Sequence, residues 1–414
     1  MKKPILLFTL ISSILFATPP QNEIKSVRGI LGDFDQIKHT KLQVRAGYIT
    51  LDSNKEINTN AFSIGGHAHF NTKRWQGIKL GTSLYTVQDL GVQNSDPLKI
   101  NPDFFDIDKE SFSLLAEAYI DAKWYNSKVK LGRQILDSPH ADSDDIRMIP
   151  NYFNAYRIHN NDIKNLTLHA GLIDKMAGWE NGIDSSKFVD ISQVLGLEED
   201  TDGVYFVAGI YEGVENLSLS LWHYYYDEIA TVSYAEAGYN YNINQSLTLG
   251  LGLQYNTSTQ SGKELLGEQN SNTFGLSVEL DFKELGFTTL LAYNYEDDES
   301  GASALSLGGG SFFTSMEDQT LDAMETSGTA WVLGVAYDFE KVGIENLLFG
   351  VAYGLFESKE STLYKTSEVD AIVEYSISDK LSLTMAYASI NDKTPENNDY
   401  TQFRIVTNYN FTSF

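Results

Sequence analysis

Basic side chains recur along this chain where alternation would place them on one face of extended segments: Arg45, Lys79, Lys128, Lys130, Arg133, Arg157 and Arg404. Cationic groups spaced along a wall can hand an anionic group from site to site, as charge rings do in pores. The plainer alternative is that they solvate a watery interior and pair with acids of the same segments, Glu117 and Asp121. A second cluster, Asp137, His140, Asp142, Asp144, Asp145 and Arg147, carries mostly the opposite sign. Set opposite the basic residues, its acids would create a transverse field that orients dipolar solutes. Asp142, Asp144 and Asp145 are also hard oxygen ligands such as calcium takes, yet no Gly lies within the cluster and no Glu closes it. His67 and His69, two apart, could share a strand face as metal ligands or simply as polar groups. Ser, His and acids all occur, but no motif links them into a nucleophilic triad. The chain has no Cys, which removes thiolate chemistry, Cys metal sites and disulfides. No catalytic residue, metal or cofactor is assigned.

The elements that must position these groups are strands. From about residue 42 to Phe411, apolar residues alternate with small or polar ones, as in Leu247 to Tyr255, Leu217 to Leu221 and Trp331 to Phe339. Successive side chains of a strand face opposite sides. One face is rich in Leu, Tyr, Phe and Trp; the other carries Gly, Ser, Asn and charged residues. A soluble sandwich shares this pattern. Repeated through nearly the whole chain, behind an export signal, it favours a transmembrane barrel with lipid outside and water inside.

The signal is short. Lys2 and Lys3 precede an apolar run from Ile5 to Phe16, with cleavage expected after Ala17. That run is too short to span a membrane as a helix, and no later stretch approaches about 20 apolar residues. The expected organisation is a signal peptide at 1–17, a periplasmic lead-in at 18–41 and one barrel domain at 42–414. The formal charge of -26 argues against nucleic acid as a partner. It fits either solvated outer loops or a mouth that attracts cations.

Eighteen strands are expected, at 42–52, 61–71, 77–87, 112–125, 127–136, 151–160, 163–175, 202–213, 216–227, 230–243, 246–257, 271–282, 286–296, 328–340, 346–357, 366–377, 380–391 and 399–411. Tight turns such as Asn126-Ser127 and Ser378-Asp379-Lys380 follow even-numbered strands. Longer connections, roughly 88–111, 137–150, 176–201, 258–270 and 297–327, follow odd-numbered ones. An even count with short turns at one end and long loops at the other is the outer-membrane layout.

Residues 131–158 carry a recognisable pattern: a Gly-containing strand end, a loop with Pro139, then Asp145, Arg147, Pro150 and Phe153. This resembles the constriction-loop region of the OprD-like outer-membrane porins, with its Asp-x-Arg-Leu-Leu-Pro-x-x-Phe segment. Here Met148 and Ile149 stand for the leucines. The strand Asn216 to Tyr226 and the stretch Gly309 to Asp318 before Trp331 resemble further parts of that family. The resemblance implies an eighteen-stranded channel, an inward-folded third outer loop, a ladder of basic residues and passive uptake of small carboxylate-bearing or amino-acid nutrients.

Parity assigns faces, because a Lys or Arg facing mid-bilayer lipid costs roughly 2–4 kcal/mol. The interior is expected to hold Gln43, Arg45 and Gly47; Lys79, Gly81, Ser83 and Tyr85; Glu117, Tyr119, Asp121 and Lys123; Lys128, Lys130 and Gly132; Arg157; and Arg404, Asn408 and Asn410. Arg133 falls on the outer parity; either a bulge at Gly132 turns it inward beside Arg157, the favoured reading, or it lies at the rim. Tyr409 and Phe411 face lipid, and Phe411 or Phe414 is the candidate assembly signal. The expected setting is a Gram-negative outer membrane, with lipid, lipopolysaccharide, the barrel assembly machinery and small hydrophilic solutes as partners. Monomer and homotrimer both stay open. The rivals are a general cation-leaning porin, a hydrophobic-solute channel, and an adhesin or structural barrel whose long loops would carry binding.

Overall fold

The computed structural model describes residues 41–300, 305–324 and 326–411. The expected signal and lead-in up to residue 40, Gly301 to Ala304, Glu325 and Thr412 to Phe414 lie outside the described residues. The strands are β1 (Lys41–Ser53), β2 (Thr59–Asn71), β3 (Ile78–Gln88), β4 (Phe112–Trp124), β5 (Ser127–Gln134), β6 (Tyr152–Asn160), β7 (Leu166–Ala177), β8 (Val189–Asp190), β9 (Val204–Val214) and β10 (Leu217–Tyr226). They continue as β11 (Ala230–Asn242), β12 (Leu247–Gln260), β13 (Asn270–Phe282), β14 (Phe287–Ser300), β15 (Gly328–Asp338), β16 (Leu347–Ser358), β17 (Lys365–Ser376), β18 (Leu381–Asp392) and β19 (Tyr400–Phe411).

Every long strand pairs antiparallel with the next, and β1 pairs with β19 from Leu42↔Phe411 to Ser53↔Tyr400. The sheet therefore closes. β8 is a two-residue strand that pairs only with the end of β7, while β7 and β9 pair directly from Leu166↔Tyr211 to Ile173↔Val204. The wall is an eighteen-stranded barrel with this one extra strand, as the alternation predicts. Closure matters because hydrocarbon offers no partner to an unpaired backbone group. Among the described residues no helix is long and apolar enough to cross a membrane.

The outer face is greasy. Leu251, Leu253 and Tyr255 of β12 are exposed, while Gln254, Asn256 and Ser258 between and beyond them are buried inside. Aromatic girdles border this band, with Tyr205 and Phe274 toward the long-loop end and Trp124, Tyr239, Tyr241, Tyr409 and Phe411 toward the turns. Replacing Leu253, mid-strand and 60% exposed, with Arg should lower barrel stability by about 2–4 kcal/mol. Urea unfolding in lipid vesicles checks this; a change under about 0.5 kcal/mol would mean that Leu253 does not face the bilayer core.

One bulge organises the interior. The β3–β4 register shifts between Ser83 and Leu84, so Ala116 and Glu117 are both buried. Below the shift β4 turns Glu117, Tyr119 and Asp121 inward; above it the inward residues are Phe112, Leu114 and Ala116. The upper, apolar half packs against Ile100, Phe104, Phe105, Met148 and Ile149 from two outer loops. Two further clusters repeat this scheme. Leu136, Ala141, Leu305 and Leu307 pack on β6, β7, β9, β10 and β11, and Phe312, Phe313, Met316, Leu321 and Met324 pack on β14, β15 and β16. Segments of the 89–111, 135–151 and 301–327 connections thus fold into the barrel mouth.

Candidate functional site

β3 to β6 place a row of cations on the inner wall. Lys79, Lys130 and Arg157 are buried on lumen positions, and Lys128 is half-buried below them. Lys130 stands directly beside Arg157 in the ladder, and Lys128 beside His159. The row is partly compensated from β4. Asp121 takes Arg74 at 2.6 Å and Lys79 at 3.6 Å. Glu117 takes His69 Nδ1 at 2.8 Å and Lys130 Nζ at 3.9 Å. The Lys130 ammonium also lies 3.8 Å from the centre of the Tyr119 ring, a cation–π contact. The expected lumen acids Glu117 and Asp121 are therefore inside, each bonded to a wall cation. His69 is among the groups holding Glu117, while His67 lies against Tyr85 with ring centres 5.4 Å apart.

Three arginines do a different job: they clamp loops to the wall. Arg45, 2% exposed, grips Asp145 through both terminal nitrogens at 2.5 and 2.9 Å and donates to the Arg147 carbonyl at 2.8 Å. Its Nε donates to Asn408 at 2.7 Å, so β1, β19 and the 135–151 loop meet there. Arg147 donates to Asp103 at 3.1 Å and Gln402 at 3.0 Å and stacks 4.5 Å from the Trp179 ring. Arg404 pairs with Glu317 of the 301–327 connection at 2.9 Å, both side chains under 5% exposed. Paired donors on a planar guanidinium suit this role better than an ammonium would. Arg45 and Arg404 are thus anchors within the lumen. Replacing Arg45 with Ala should speed tryptic cleavage after Arg147 at least about tenfold, since each hydrogen bond to a charged group contributes about 1.5–3 kcal/mol. Unaltered cleavage would show that the loop is held without this clamp.

Arg133 departs from expectation. The ladders on both sides of β5 run through Gly132 with no register shift, so there is no added residue to reverse its parity. Gly132 instead takes φ +109°, where a Cβ would meet the Ala118 carbonyl at 2.3 Å. Arg133 keeps the parity of lipid-facing Leu131, donates to the Leu115 carbonyl at 3.0 Å and lies 4.4 Å from the Phe188 ring. The cross-strand neighbour of Arg157 is Lys130, and Arg133 pairs instead with Asn154.

Of the acids of the 135–151 loop, Asp145 is bonded to Arg45 of β1 rather than standing free across the lumen. Asp137 accepts from Ser143 Oγ at 2.5 Å, and Asp142 accepts from the Asp144 amide at 2.8 Å. His140 is fully buried between Asn256 at 2.9 Å and Ser311 at 2.8 Å, with Tyr224 and Tyr234 edge-on. Burial and the carboxylates Glu180 and Asp142 hold the Asp144 carboxyl well above its ordinary range.

The acidic counterpart is elsewhere. Glu236 of β11, Glu279 and Asp281 of β13, Glu296 of β14 and Glu368, Asp370 and Glu374 of β17 all point inward. Parity carried this signal: Glu368, Asp370, Ile372 and Glu374 alternate with Val369, Ala371 and Val373. Glu368 and Asp370 also accept the backbone amides of Glu317, Asp318 and Gln319 at 2.8–3.0 Å, which draws the 301–327 connection inward. The lumen thus has a basic side on β3–β6 and an acidic side on β11–β17.

A family model described as outer membrane porin, OprD family, matches residues 102–413. Among solved structures, OpdK of Pseudomonas aeruginosa with vanillate aligns at TM-score 0.76 and 21% identity over 90% of this chain and 98% of that one. OpdG of the same organism aligns at TM-score 0.78 and 17% identity over the same shares. A BenF-like porin from Pseudomonas fluorescens Pf-5 aligns at TM-score 0.77 and 15% identity, over 91% and 98%. No curated protein sequence matches the chain.

Proposed function

The chain belongs to the OprD family of outer membrane porins, and on that premise we propose that its lumen selects small hydrophilic solutes carrying a carboxylate, amino acids among them. Its place is the outer membrane of a Gram-negative bacterium, where porins act as channels by passive diffusion. The observation that carries the finer reading is the Lys128–Lys130–Arg157 row on adjacent lumen positions of β5 and β6. A guanidinium beside an ammonium gives a carboxylate both a planar pair of donors and a point charge.

The acidic side on β11–β17 supports amino acids over simple anions. A zwitterion crossing between unlike walls keeps each end near its complement, whereas a bare anion meets repulsion on one side. The buried 135–151 segment, clamped by Arg45, would narrow the passage and hold solutes against the basic row. Among the basic residues first assigned to the track, Lys79, Lys128, Lys130 and Arg157 keep that role in this reading. A competition series in planar bilayers tests it: glycine-like zwitterions and monocarboxylates should reduce ion current at lower concentration than neutral polyols of equal size. Equal block by polyols would remove the charge-based selection.

A further inference from the structure

Where three outer connections meet, two carboxyls lie close together: Glu180, from the connection after β7, and the buried Asp144, from the connection after β5. Glu180 Oε2 accepts from Asn151 Nδ2 at 2.5 Å and from the Gly309 amide at 3.2 Å, so the connection after β14 joins as well. Neighbouring contacts tighten the junction. Trp179 Nε1 donates to the Asp144 carbonyl at 3.0 Å, and Asn151 Nδ2 donates to the Asp142 carbonyl at 3.1 Å. Packing leaves no slack, since a Cβ on Gly308 would fall 2.7 Å from Glu180 Oε2.

Two ionised carboxylates held side by side in a buried site repel each other, and a proton held between them removes that repulsion. Asp144 is 5% exposed and its Oδ1 has no hydrogen-bond partner. A buried carboxylate in that state would carry an uncompensated charge; a carboxylic acid would not. The charged groups facing the pair are Asp142 and Arg147 from the same loop and Arg404 from β19. Arg147 pairs with Asp103 and Arg404 with Glu317, and the Nη1 of each has no hydrogen-bond partner; both cations draw the Asp144 carboxyl down, against burial and the neighbouring acids that hold it up.

We propose that Asp144 and Glu180 share one proton and so act as a clasp, joining the three inward loops when protonated and loosening them when it is lost. This goes beyond the solute reading and rests only on the protein being a channel whose mouth these loops occupy. Both carboxyls are held above their ordinary range, first by burial; for Asp144 the neighbouring acids add to it, and for Glu180 the Asn151 and Gly309 donors oppose it. The clasped state therefore binds the proton more tightly than parted loops would. The clasp is strongest at low pH and weakens as pH rises through the raised range.

The test is single-channel recording of the wild-type protein in plain salt between about pH 6 and pH 9. Loop-driven current transitions should become roughly threefold or more as frequent at the alkaline end. The D144N/E180Q double variant should stay near its acid-end frequency throughout, because its amides cannot ionise. E180Q alone should flatten the response similarly and serves if the double variant does not insert. D108N, an exposed loop change, should keep the wild-type response. A wild type with no pH response, or variants that respond as the wild type does, would overturn the clasp. No organic solute is present, so either failure leaves the carboxylate reading untouched.

Discussion

Replacing Lys130 and Arg157 together with Ala should weaken block by a monocarboxylate about tenfold and move the reversal potential in a salt gradient toward cation preference. The two residues are directly paired on β5 and β6, with Lys128 one lumen position below. A hydrogen bond to a charged partner contributes about 1.5–3 kcal/mol, and losing one such bond suffices for the tenfold change. The shift in ion preference follows from what remains. Glu117 and Asp121 stay on the wall, and the carboxylates of β11–β17 stay opposite. Arg133→Ala is the informative contrast. Its guanidinium lies on the outward parity, against the Leu115 carbonyl and Phe188, so block and selectivity should hardly change. If the double variant kept wild-type block and reversal potential, the basic row would not guide carboxylates, and the lumen would be a cation-leaning sieve.

That contrast shows where sequence reading succeeds and where it stops. Period-two alternation is a local property, and lipid on one face makes it strict, so all eighteen wall strands were expected within four residues of their observed bounds. Parity then placed Lys79, Glu117, Asp121, Lys128, Lys130 and Arg157 inside. Parity put Arg133 outside, as observed; the error was to invoke a bulge at a glycine, where the backbone absorbs a positive φ without an added residue. The bulge that re-aims β4, beside Ala116, leaves no such mark, since Ala and Leu suit either parity. β8 is two residues long and has no period to read. Loop partners were harder still. Nothing local in Arg45 shows that its partner is Asp145, 100 residues on, or that Arg404 reaches Glu317. Nothing local in the long loop before Trp331 shows that it folds inward, because its anchors, Gln254, Asn294, Glu368 and Asp370, lie on three separate strands.

Deleting residues 138–146 tests whether the loop that Arg45 clamps is the narrow point. Conductance of the shortened protein should rise roughly two- to threefold, and discrimination between carboxylates and polyols should fall with it. The removed segment contains His140, bonded to Asn256 and Ser311; Ala141, bridged to Leu307; and Asp145, bonded to Arg45. All of these occupy the mouth, and none belongs to the strand ladder. The wall groups they leave behind, Arg45 and Asn256, are polar and would be taken up by lumen water. Stability should therefore change little in the membrane-spanning part, whose backbone hydrogen bonds close around the ring from β1 to β19 without this loop. The expected cost lies in the apolar cluster that includes Leu136, Ala141 and Leu307, so the 301–327 connection should become more open to protease. That side effect separates two outcomes. Higher conductance with lost discrimination assigns both width and selection to the 135–151 loop. Higher conductance with discrimination intact would leave selection to the Lys130–Arg157 row alone. Unchanged conductance in a correctly inserted deletion would place the constriction deeper in the barrel.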